Sequence, residues 1–537
     1  LDCSGVSTPT TWQNGSAAID YVVPNGCVID ITDVLTIEPG TVVQFEENSG
    51  LGIYNNGALK AVGTENLPIV LEGKDNVRGY WRGIHLETNT LNNQLDHVTI
   101  ANAGSNYVYC CNTPASLFLK GGTISIKNTT IRGGSEYGIY ANGASSLREY
   151  ENLTITEHSE APLFIDVERI SELDGLGSDY SGNDQAYIKV LDSDVGQETR
   201  IPANNVPYLF EGQVYNVTEA LTIEEGVEIA FEENGGLGVY DNGSLKVNGT
   251  AGKPVIIRGL ESSRGYWRGL HVASNSINNV LNWLEIRDAG SDYVYCCNTV
   301  ASLYIPDGKV NLENVSISNG AAYGIATKAA ATFSGFESVS VTTHTQRAMA
   351  ISLAQAGELD GTASTFVGND VTGIEIYGAQ MSVNTTVPEM DVPYVVTTNV
   401  VLGVTAALTL QPGVSFEFEG SAGMGIFDNG SLNAEGRAGK IITFKGTEAV
   451  KGWWRGIHTE TNSLSNVLDY VEIRNAGSNY VYCCNDLAGL LVRSGQMTLR
   501  NSVVSDNDGC GVFVRSGATL TESNNTFSNN TDGDTCN

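Results

Sequence analysis

The sequence repeats itself three times, and this repetition limits the fold more than any other feature. The motif RGYWRGIH at Arg78–His85 returns as RGYWRGLH at Arg264–His271 and as KGWWRGIH at Lys451–His458. A second motif, YVYCCN, recurs with the same offsets of 186 and then 187 residues. Three tandem copies of about 187 residues are therefore predicted.

The boundaries of the copies follow from these offsets. Equivalent segments begin near Tyr21, Tyr208 and Tyr394, and no Pro-rich or Ser-rich linker separates them. We predict one continuous body without flexible linkers. Its parts are an N-terminal cap (1–20), a first repeat (21–207), a second repeat (208–393) and a truncated third repeat with a C-terminal cap (394–537).

A shorter rhythm runs inside each copy. Short β-rich pieces such as LTI at Leu35 and VVQF at Val42 alternate with turns such as EPG and NNG. The pieces NTTI at Asn128 and NLTI at Asn152 lie 24 residues apart. Strands of three to five residues without a helical period indicate an all-β chain. A coil of about 20–25 residues is typical of a solenoid.

Four segments carry a resemblance to a known family: LTIEPGTVVQFEE, GALKAVGTENLPIVLEG, WRGIH…LDHVTIANAG and SELDGLGSDYSGND. They resemble the right-handed parallel β-helix proteins, the superfamily that includes pectate lyases and many secreted bacterial surface proteins. The resemblance covers nearly the whole chain. It implies an all-β, right-handed parallel β-helix solenoid with inward ladders of Ile, Val and Leu, and it leaves the activity open.

The ends of a solenoid must be capped, and four of the ten cysteines lie near the ends. Cys3 and Cys27 are about one coil apart, and so are Cys510 and Cys536. We predict a disulfide at each end, with buried thiols as the alternative. Paired cysteines indicate an oxidising compartment, so the protein is expected to be secreted, extracellular or on a cell surface. The start LDCSG is expected to be a mature N-terminus left by processing.

The other six cysteines form three adjacent pairs, Cys110–Cys111, Cys296–Cys297 and Cys483–Cys484. At ~4.8 Å per stacked strand the pairs would lie ~40 Å apart, which excludes bridges between copies. Each pair is a vicinal disulfide, two thiols or a metal site. We favour the vicinal disulfide, because strained groups persist where a site imposes them. The resemblance adds that such a ring can serve as a platform for a sugar or another small ring.

The residues around the cysteine pairs suit the recognition of neutral sugars. Tyr107 and Tyr109 alternate with Val108, so both rings are expected on one strand face. Trp81 precedes Cys110 by a little over one coil and is expected one rung below it. Aromatic rings pack against sugar C–H groups, while amides and guanidinium groups bind hydroxyls. The predicted ligand-binding residues are Trp81, Arg82, Tyr107, Tyr109, Cys110, Cys111 and Asn112, then Trp267, Arg268, Tyr293, Tyr295, Cys296, Cys297 and Asn298, then Trp454, Arg455, Tyr480, Tyr482, Cys483, Cys484 and Asn485.

A structural reading of the WRGIH motif competes with this one, because duplication also copies residues that only hold a loop. In that reading Trp81 covers the edge of a coil, Arg82 pairs with an acid, and His85 is structural rather than catalytic.

An enzyme would need an acid–base pair in one groove. The candidates Glu47 and Asp96 fail as shared catalytic groups, because their counterparts are Gly420 and Asn282. No catalytic residue is predicted. Three equivalent binding sites on one chain would instead increase the overall affinity for a ligand displayed in many copies. We expect a non-enzymatic binding protein or adhesin with three equivalent sites for a glycan or another small ring. The alternatives are a structural or filament-forming surface protein and a polysaccharide lyase or hydrolase.

The charge of the chain limits the classes of partner that it is expected to bind. With 29 Lys+Arg against 61 Asp+Glu, the net charge is −32, which opposes binding to nucleic acid or an anionic membrane. The sequence contains no run of ~18 apolar residues, so no membrane-spanning segment is predicted. A neutral glycan or another cell-surface ligand is the expected partner, and self-association is a second expectation. No cofactor or metal site is predicted, and calcium is the one cation left open, as a bridge to anionic polysaccharides.

Overall fold

The computed structural model describes residues 1–109, 113–191, 194–295, 299–378, 380–482 and 486–537. The chain divides into two compact units, Leu1–Glu261 and Ser262–Asn537. Short strands that pair in parallel dominate both units.

In the first unit a strand pairs with the strand one coil later, as Thr10–Trp12 does with Val34–Ile37. One sheet contains Thr10–Trp12, Val34–Ile37, Ala58–Val62, Gln94–Asp96, Thr123–Lys127 and Ser146–Glu151. A second sheet contains Tyr21–Val23, Val42–Phe45, Ile69–Gly73, Val98–Ala101, Thr130–Arg132 and Thr154–Thr156.

The third sheet of this unit is the longest, and its outward face carries the first candidate site. It contains Val28–Ile31, Gly50–Ile53, Gly83–Leu86, Ala115–Leu119, Tyr137–Ala141, Leu163–Asp166, Ile188–Leu191, Tyr208–Phe210, Glu228–Phe231 and Val255–Gly259. Shorter ladders contain Thr199–Ile201, Ala220–Ile223 and Ser244–Asn248, and Val214–Val217 with Gly236–Val239. Two 3₁₀ helices follow the sixth strand, at Val167–Glu172 and Gly175–Gly177.

The second unit contains a parallel sheet of similar length. Its strands are Gly269–Val272, Ala301–Ile305, Tyr323–Thr327, Met349–Ser352, Ile374–Tyr377, Tyr394–Val396, Ser415–Phe418, Ile442–Gly446, Val471–Arg474, Val503–Ser505 and Thr526–Ser528.

Three further ladders complete the second unit, together with a short α-helix at Leu353–Ala356. One ladder contains Gln380–Met381, Val401–Val404, Gly423–Ile426, Ile457–Thr459, Ala488–Val492, Cys510–Val514 and Gly533–Cys536. Another contains Thr385–Val387, Ala407–Leu410, Ser431–Glu435, Val467–Asp469, Gln496–Arg500 and Thr519–Ser523. The last contains Val280–Arg287 and Lys309–Ser318, the latter paired with both Thr332–Glu337 and Ser340–Thr342.

The core of each unit consists mainly of aliphatic side chains, with buried Trp, Tyr and Phe rings among them. In the first unit one ladder of fully buried side chains runs across five coils. Its members are Val43, Leu71, Ile100, Ile131 and Ile155. Burial of each such side chain stabilises the fold by roughly 1.5–3 kcal/mol. Each unit is therefore a parallel β-helix, and the all-β prediction is confirmed.

Asparagine side chains stack at a turn of the first unit. Asn128 and Asn152 have φ of 45° and 56°, a left-handed conformation that asparagine tolerates better than most residues. The Asn152 amide donates to Asn128 at 2.8 Å, and the Asn128 amide donates to Asp96 at 2.9 Å. These hydrogen bonds hold one turn directly above the next.

The predicted repeat boundaries at Tyr208 and Tyr394 lie inside the units. The strand Tyr208–Phe210 pairs with the strands before and after it, Ile188–Leu191 and Glu228–Phe231. The strand Tyr394–Val396 likewise pairs with Ile374–Tyr377 and Ser415–Phe418. The sheets therefore run through both boundaries without a linker, while continuity over the whole chain stays a prediction.

The terminal cysteines lie close together in pairs. Cys3 is bonded to Cys27, with Cα atoms 5.6 Å apart, and Cys510 is bonded to Cys536, with Cα atoms 6.1 Å apart. Both distances suit a disulfide. That the bridges staple the ends of the solenoid is a prediction about stability.

Replacing both members of one terminal pair tests that prediction. The Cys3→Ser/Cys27→Ser variant should lower the free energy of unfolding by about 3 kcal/mol, because the bridge no longer restricts the unfolded chain. Urea unfolding of the variant and the parent protein measures the difference, and Cys510→Ser/Cys536→Ser should give a loss of similar size. Equal stability of variant and parent would contradict a stapling role.

Candidate functional site

The described part of the motif, the Tyr-Val-Tyr at 107–109, 293–295 and 480–482, lies outside the strands in each copy. In the first copy the loop follows the strand Val98–Ala101 and precedes Ala115–Leu119. The cysteine pairs and the asparagine after each pair lie outside the described residues, so their predicted roles stay predictions. These residues are Cys110, Cys111, Asn112, Cys296, Cys297, Asn298, Cys483, Cys484 and Asn485.

The three tryptophans predicted to contact a ligand are core residues. Trp81, Trp267 and Trp454 are fully buried. Trp81 stacks on Phe45 with ring centroids 3.9 Å apart, and its Nε1–H donates to the Ala101 carbonyl at 2.8 Å. The prediction that these indoles contact a ligand is therefore wrong, and the alternative that they pack within the coil describes them. Burying a large apolar ring inside the coil is more favourable than leaving it in water.

The arginines of the same motif position the YVYCCN loop. The Arg268 guanidinium donates to the Tyr293 carbonyl at 3.0 Å, and the Arg455 guanidinium donates to the Tyr480 carbonyl at 3.3 Å. Arg82, at the equivalent position of the first copy, is half-buried. These two arginines contact loop carbonyls, and the pairing of Arg82 with an acid stays a prediction.

The two tyrosines of the loop differ in exposure, contrary to the shared strand face predicted for them. Tyr107 is 43% exposed, whereas Tyr109 is half-buried. Val108 between them is buried. The backbone N–H of Tyr107 donates to the side chain of Asn106 at 2.8 Å. The equivalent Tyr293 and Tyr480 are also exposed.

Tyr109 lies flat over the outward face of the long first-unit sheet. A Cβ atom at Gly52 would lie 2.2 Å from its ring, so only glycine permits this approach. The Tyr109 hydroxyl donates a short hydrogen bond to Asp30, and the ring meets Tyr54 and His85 edge-on at centroid distances of 5.7 and 5.3 Å. Burial and the Asp30 carboxylate raise the pKa of Tyr109, so its hydroxyl stays protonated.

A histidine–glutamate–cation network lies beside Tyr109, and sequence reasoning missed it. His85 Nε2 is 2.8 Å from Glu87 Oε1, which also accepts a hydrogen bond from Lys120 at 3.2 Å. Burial lowers the pKa of His85. Against the opposing effect of burial, the hydrogen bonds from His85 and Lys120 lower the pKa of Glu87. Glu87 is therefore an ionised acceptor at neutral pH.

The third copy repeats this network. His458 Nε2 is 2.8 Å from Glu460 Oε1, and Arg493 takes the place of the lysine. The Phe427 ring lies over Gly425 and approaches Tyr482 with centroids 5.6 Å apart. Tyr482 is 64% exposed and therefore open to solvent.

These networks border two grooves with equivalent linings. The groove of the first copy has a volume of about 450 Å³ and is lined by Tyr54, Asn55, Glu87 and Tyr109. The groove of the third copy has a volume of about 430 Å³, and its lining includes the four equivalent residues Phe427, Asp428, Glu460 and Tyr482. Each thus combines two aromatic rings with an acidic side chain and a polar turn residue.

The second copy departs from this pattern. Ala273 stands where the other copies have Glu87 and Glu460, and Pro306 stands where they have a cation. His271 instead meets Tyr295 and Tyr304 edge-on, with centroids 5.5 and 5.3 Å away. Burial lowers the pKa of His271 to about 4, so it is neutral. The three positions predicted to be equivalent therefore differ in chemistry.

The two carboxylates considered for catalysis differ in their surroundings. Asp96 accepts a hydrogen bond from Asn128, and Glu47 is exposed. Glu46, next to Glu47 in the chain, forms an ion pair with Lys74 at 2.6 Å. Within the described part of the chain, no three His, Cys, Asp or Glu side chains gather as metal ligands would. The described residues also contain no helix that is long and apolar enough to span a bilayer.

Comparison with known proteins supports the fold of the C-terminal part. A family model for the right handed beta helix region matches residues 350–536. No curated protein matches the chain. The family match covers less than half of the sequence and agrees with the parallel β-helix architecture.

Two buried histidines are structural and make the fold sensitive to acid. His158 and His344 occupy equivalent positions and lie 3.1 Å from the hydroxyls of Ser116 and Ser302. Burial lowers the pKa of both to about 4. The folded protein keeps them neutral, whereas an unfolded histidine takes up a proton below about pH 6.5.

The unfolding free energy should therefore fall as pH falls from about 6.5 to about 4. Each histidine should account for about 2 kcal/mol between pH 7 and pH 4.5, because the unfolded state binds the additional proton. Urea unfolding at both pH values should show a smaller loss for His158→Gln than for the parent protein. An equal loss in the two proteins would contradict the assignment.

Proposed function

We propose that this protein is a secreted, non-enzymatic binding protein or adhesin for neutral glycans. The observation that carries the proposal is the pair of grooves beside Tyr109 and Tyr482, which have similar volumes and share four lining positions. Grooves of about 300–1,000 Å³ with aromatic walls and a few directed polar groups are typical of small-molecule sites.

The chemistry of each groove suits a sugar ring. Tyr54 and Tyr109, or Phe427 and Tyr482, offer ring faces and edges to sugar C–H groups. Glu87 is held by His85 and Lys120, so its carboxylate needs little reordering to accept a sugar hydroxyl. Such preorganisation reduces the entropy lost on binding.

Repetition supports a binding role more than a catalytic one. Each groove alone is expected to bind one sugar ring weakly, and several grooves on one chain increase the affinity for a surface that displays many copies of the ligand. The position at Tyr295 is proposed to bind more weakly, because Ala273 and Pro306 remove the ionised acceptor and its cation.

The cysteine pairs are proposed to be oxidised within themselves and to form a rigid rim beside Tyr109, Tyr295 and Tyr482. An even number of cysteines and bonded pairs at the ends favour an oxidising, extracellular location. The strong net negative charge favours neutral glycans over anionic ones.

Alanine substitution of the groove tyrosines tests the function. Tyr109→Ala/Tyr482→Ala should abolish most binding on a glycan array and weaken the titrated affinity for the best ligand about tenfold or more, because each groove loses an aromatic wall. Tyr295→Ala is the matched control and should have the smaller effect.

Three outcomes would contradict the proposal. The first is an array without any glycan signal for the parent protein. The second is equal affinity of parent and double variant. The third is release of reducing or unsaturated sugars from a bound glycan, which would favour the enzyme alternative. Concentration-dependent polymers without glycan binding would favour the structural alternative.

Thiol labelling tests the state of the cysteine pairs. The denatured, unreduced protein should take up no iodoacetamide, because all ten cysteines are expected in disulfides. Reduction before labelling is the positive control and should expose every cysteine to the reagent. Labelling of the three adjacent pairs without reductant would show that they are thiols.

A further inference from the structure

The outward face of the second copy contains a groove that is separate from the two beside Tyr109 and Tyr482. It has a volume of about 490 Å³ and lies entirely within the second unit. None of the tyrosines of the proposed glycan sites lines it. Its lining residues are Thr299, Val300, Ala322, Tyr323, Thr327, Lys328, Gln346, Ala350, Glu375 and Tyr377.

The first copy shows what fills the equivalent space. There the outward positions of successive strands carry a stack of rings. Phe118 stacks on Tyr140 with centroids 4.8 Å apart, Tyr140 meets Phe164 edge-on at 5.2 Å, and the Lys189 ammonium lies 5.1 Å from the Phe164 ring. The chain's own aromatic rings therefore cover this face.

The second copy keeps the start of this stack and loses the rest. Tyr304 stands at the position of Phe118, whereas Ala326 and Ala350 stand at those of Tyr140 and Phe164. Ala326 is fully buried, and Ala350 lines the groove. Two ring-sized side chains are thus absent next to a tyrosine that remains.

The walls of the groove are aromatic and its polar groups are held in place. Tyr323 and Tyr377 pack against the cluster that contains Tyr304 and both alanines. The Tyr323 hydroxyl donates to Glu375 at 2.8 Å, and Glu375 replaces the Lys189 of the first copy. Burial raises the pKa of Tyr377 to about 12, so its hydroxyl is protonated at neutral pH.

Tyr304 supplies a second, independent indication of a ligand. Its side chain is 5% exposed, and within the described part of the chain its buried hydroxyl has no hydrogen-bond partner. A buried hydroxyl without a partner costs free energy. The Tyr304 side chain packs in one cluster with Ala350, Tyr323 and Tyr377, three residues that line the groove.

The geometry points to a separate site for one neutral pyranose ring, in the groove between Tyr323 and Tyr377. The sugar ring would occupy the space of the Phe164 ring, above Ala350. Its hydroxyls would contact Glu375, Gln346 and Lys328, one anionic, one neutral and one cationic group. A neutral ring with several hydroxyls matches this mixture better than an ion does. The site goes beyond the proposed function, because none of the residues that line it belongs to the grooves beside Tyr109 and Tyr482.

The test is carried out in the full chain with Tyr109→Ala, Tyr295→Ala and Tyr482→Ala, which removes the proposed glycan grooves. Saturation-transfer NMR and titration use the methyl glycosides of glucose, galactose, mannose, fucose and xylose, with indole as a flat aromatic comparison. At least one methyl glycoside should bind. Tyr377→Leu, which installs the first copy's residue Leu191, should weaken it about tenfold or more.

Glu375→Lys and Ala350→Phe are two further groove variants. Like Tyr377→Leu, each replaces a groove residue with the residue that the first copy has at the equivalent position. Each should weaken binding about as much as Tyr377→Leu does. Leu191→Tyr in the first copy is the matched control and should leave the affinity unchanged. The proposal is overturned if no methyl glycoside binds, if indole binds and the sugars do not, or if the three groove variants bind as the parent does. If the Tyr109→Ala/Tyr295→Ala/Tyr482→Ala protein binds methyl glycosides as tightly as the parent and the three groove variants weaken that binding, the proposed function is overturned and this site is kept.

Discussion

The in-register parallel stacking of coils is the constraint on which the rest of the structure depends. Each strand is hydrogen-bonded to the strand one coil before and one coil after it, so inward side chains such as Val43, Leu71 and Ile100 form a continuous buried ladder. The same register places outward side chains from sequence-distant coils beside each other. The inner face of a coil is thus restricted to packed apolar side chains, aliphatic or aromatic, whereas its outer face can vary, and all candidate sites lie on that outer face.

The variation between copies shows how function can differ on one framework. The first and third copies keep a glutamate between a buried histidine and a cation, in His85–Glu87–Lys120 and its counterpart around Glu460. The second copy loses that network and, two coils further, opens a groove where alanines replace aromatic rings. Substitutions at outward positions change the surface chemistry, whereas the inward positions still carry buried apolar side chains.

The sequence alone predicted the fold well because the repeat and the strand rhythm are one-dimensional signals. The role of Trp81 was mistaken, because a motif before a strand does not reveal whether its ring points into the coil or out of it. The glutamate network was missed because Lys120 follows Glu87 by a full coil, and only the strand register brings the two together. The groove beside Ala350 required the same register, since alanine becomes informative only beside the aromatic residue of another copy.

Glycan recognition on the outward face is the central claim, and crystals soaked in methyl glycosides test it most directly. The account predicts difference density for a sugar ring against Tyr109 and against Tyr482, with a hydroxyl within hydrogen-bond distance of Glu87 or Glu460. Well-ordered crystals with no sugar density in either groove, at concentrations on the order of ten times a millimolar Kd, would contradict it.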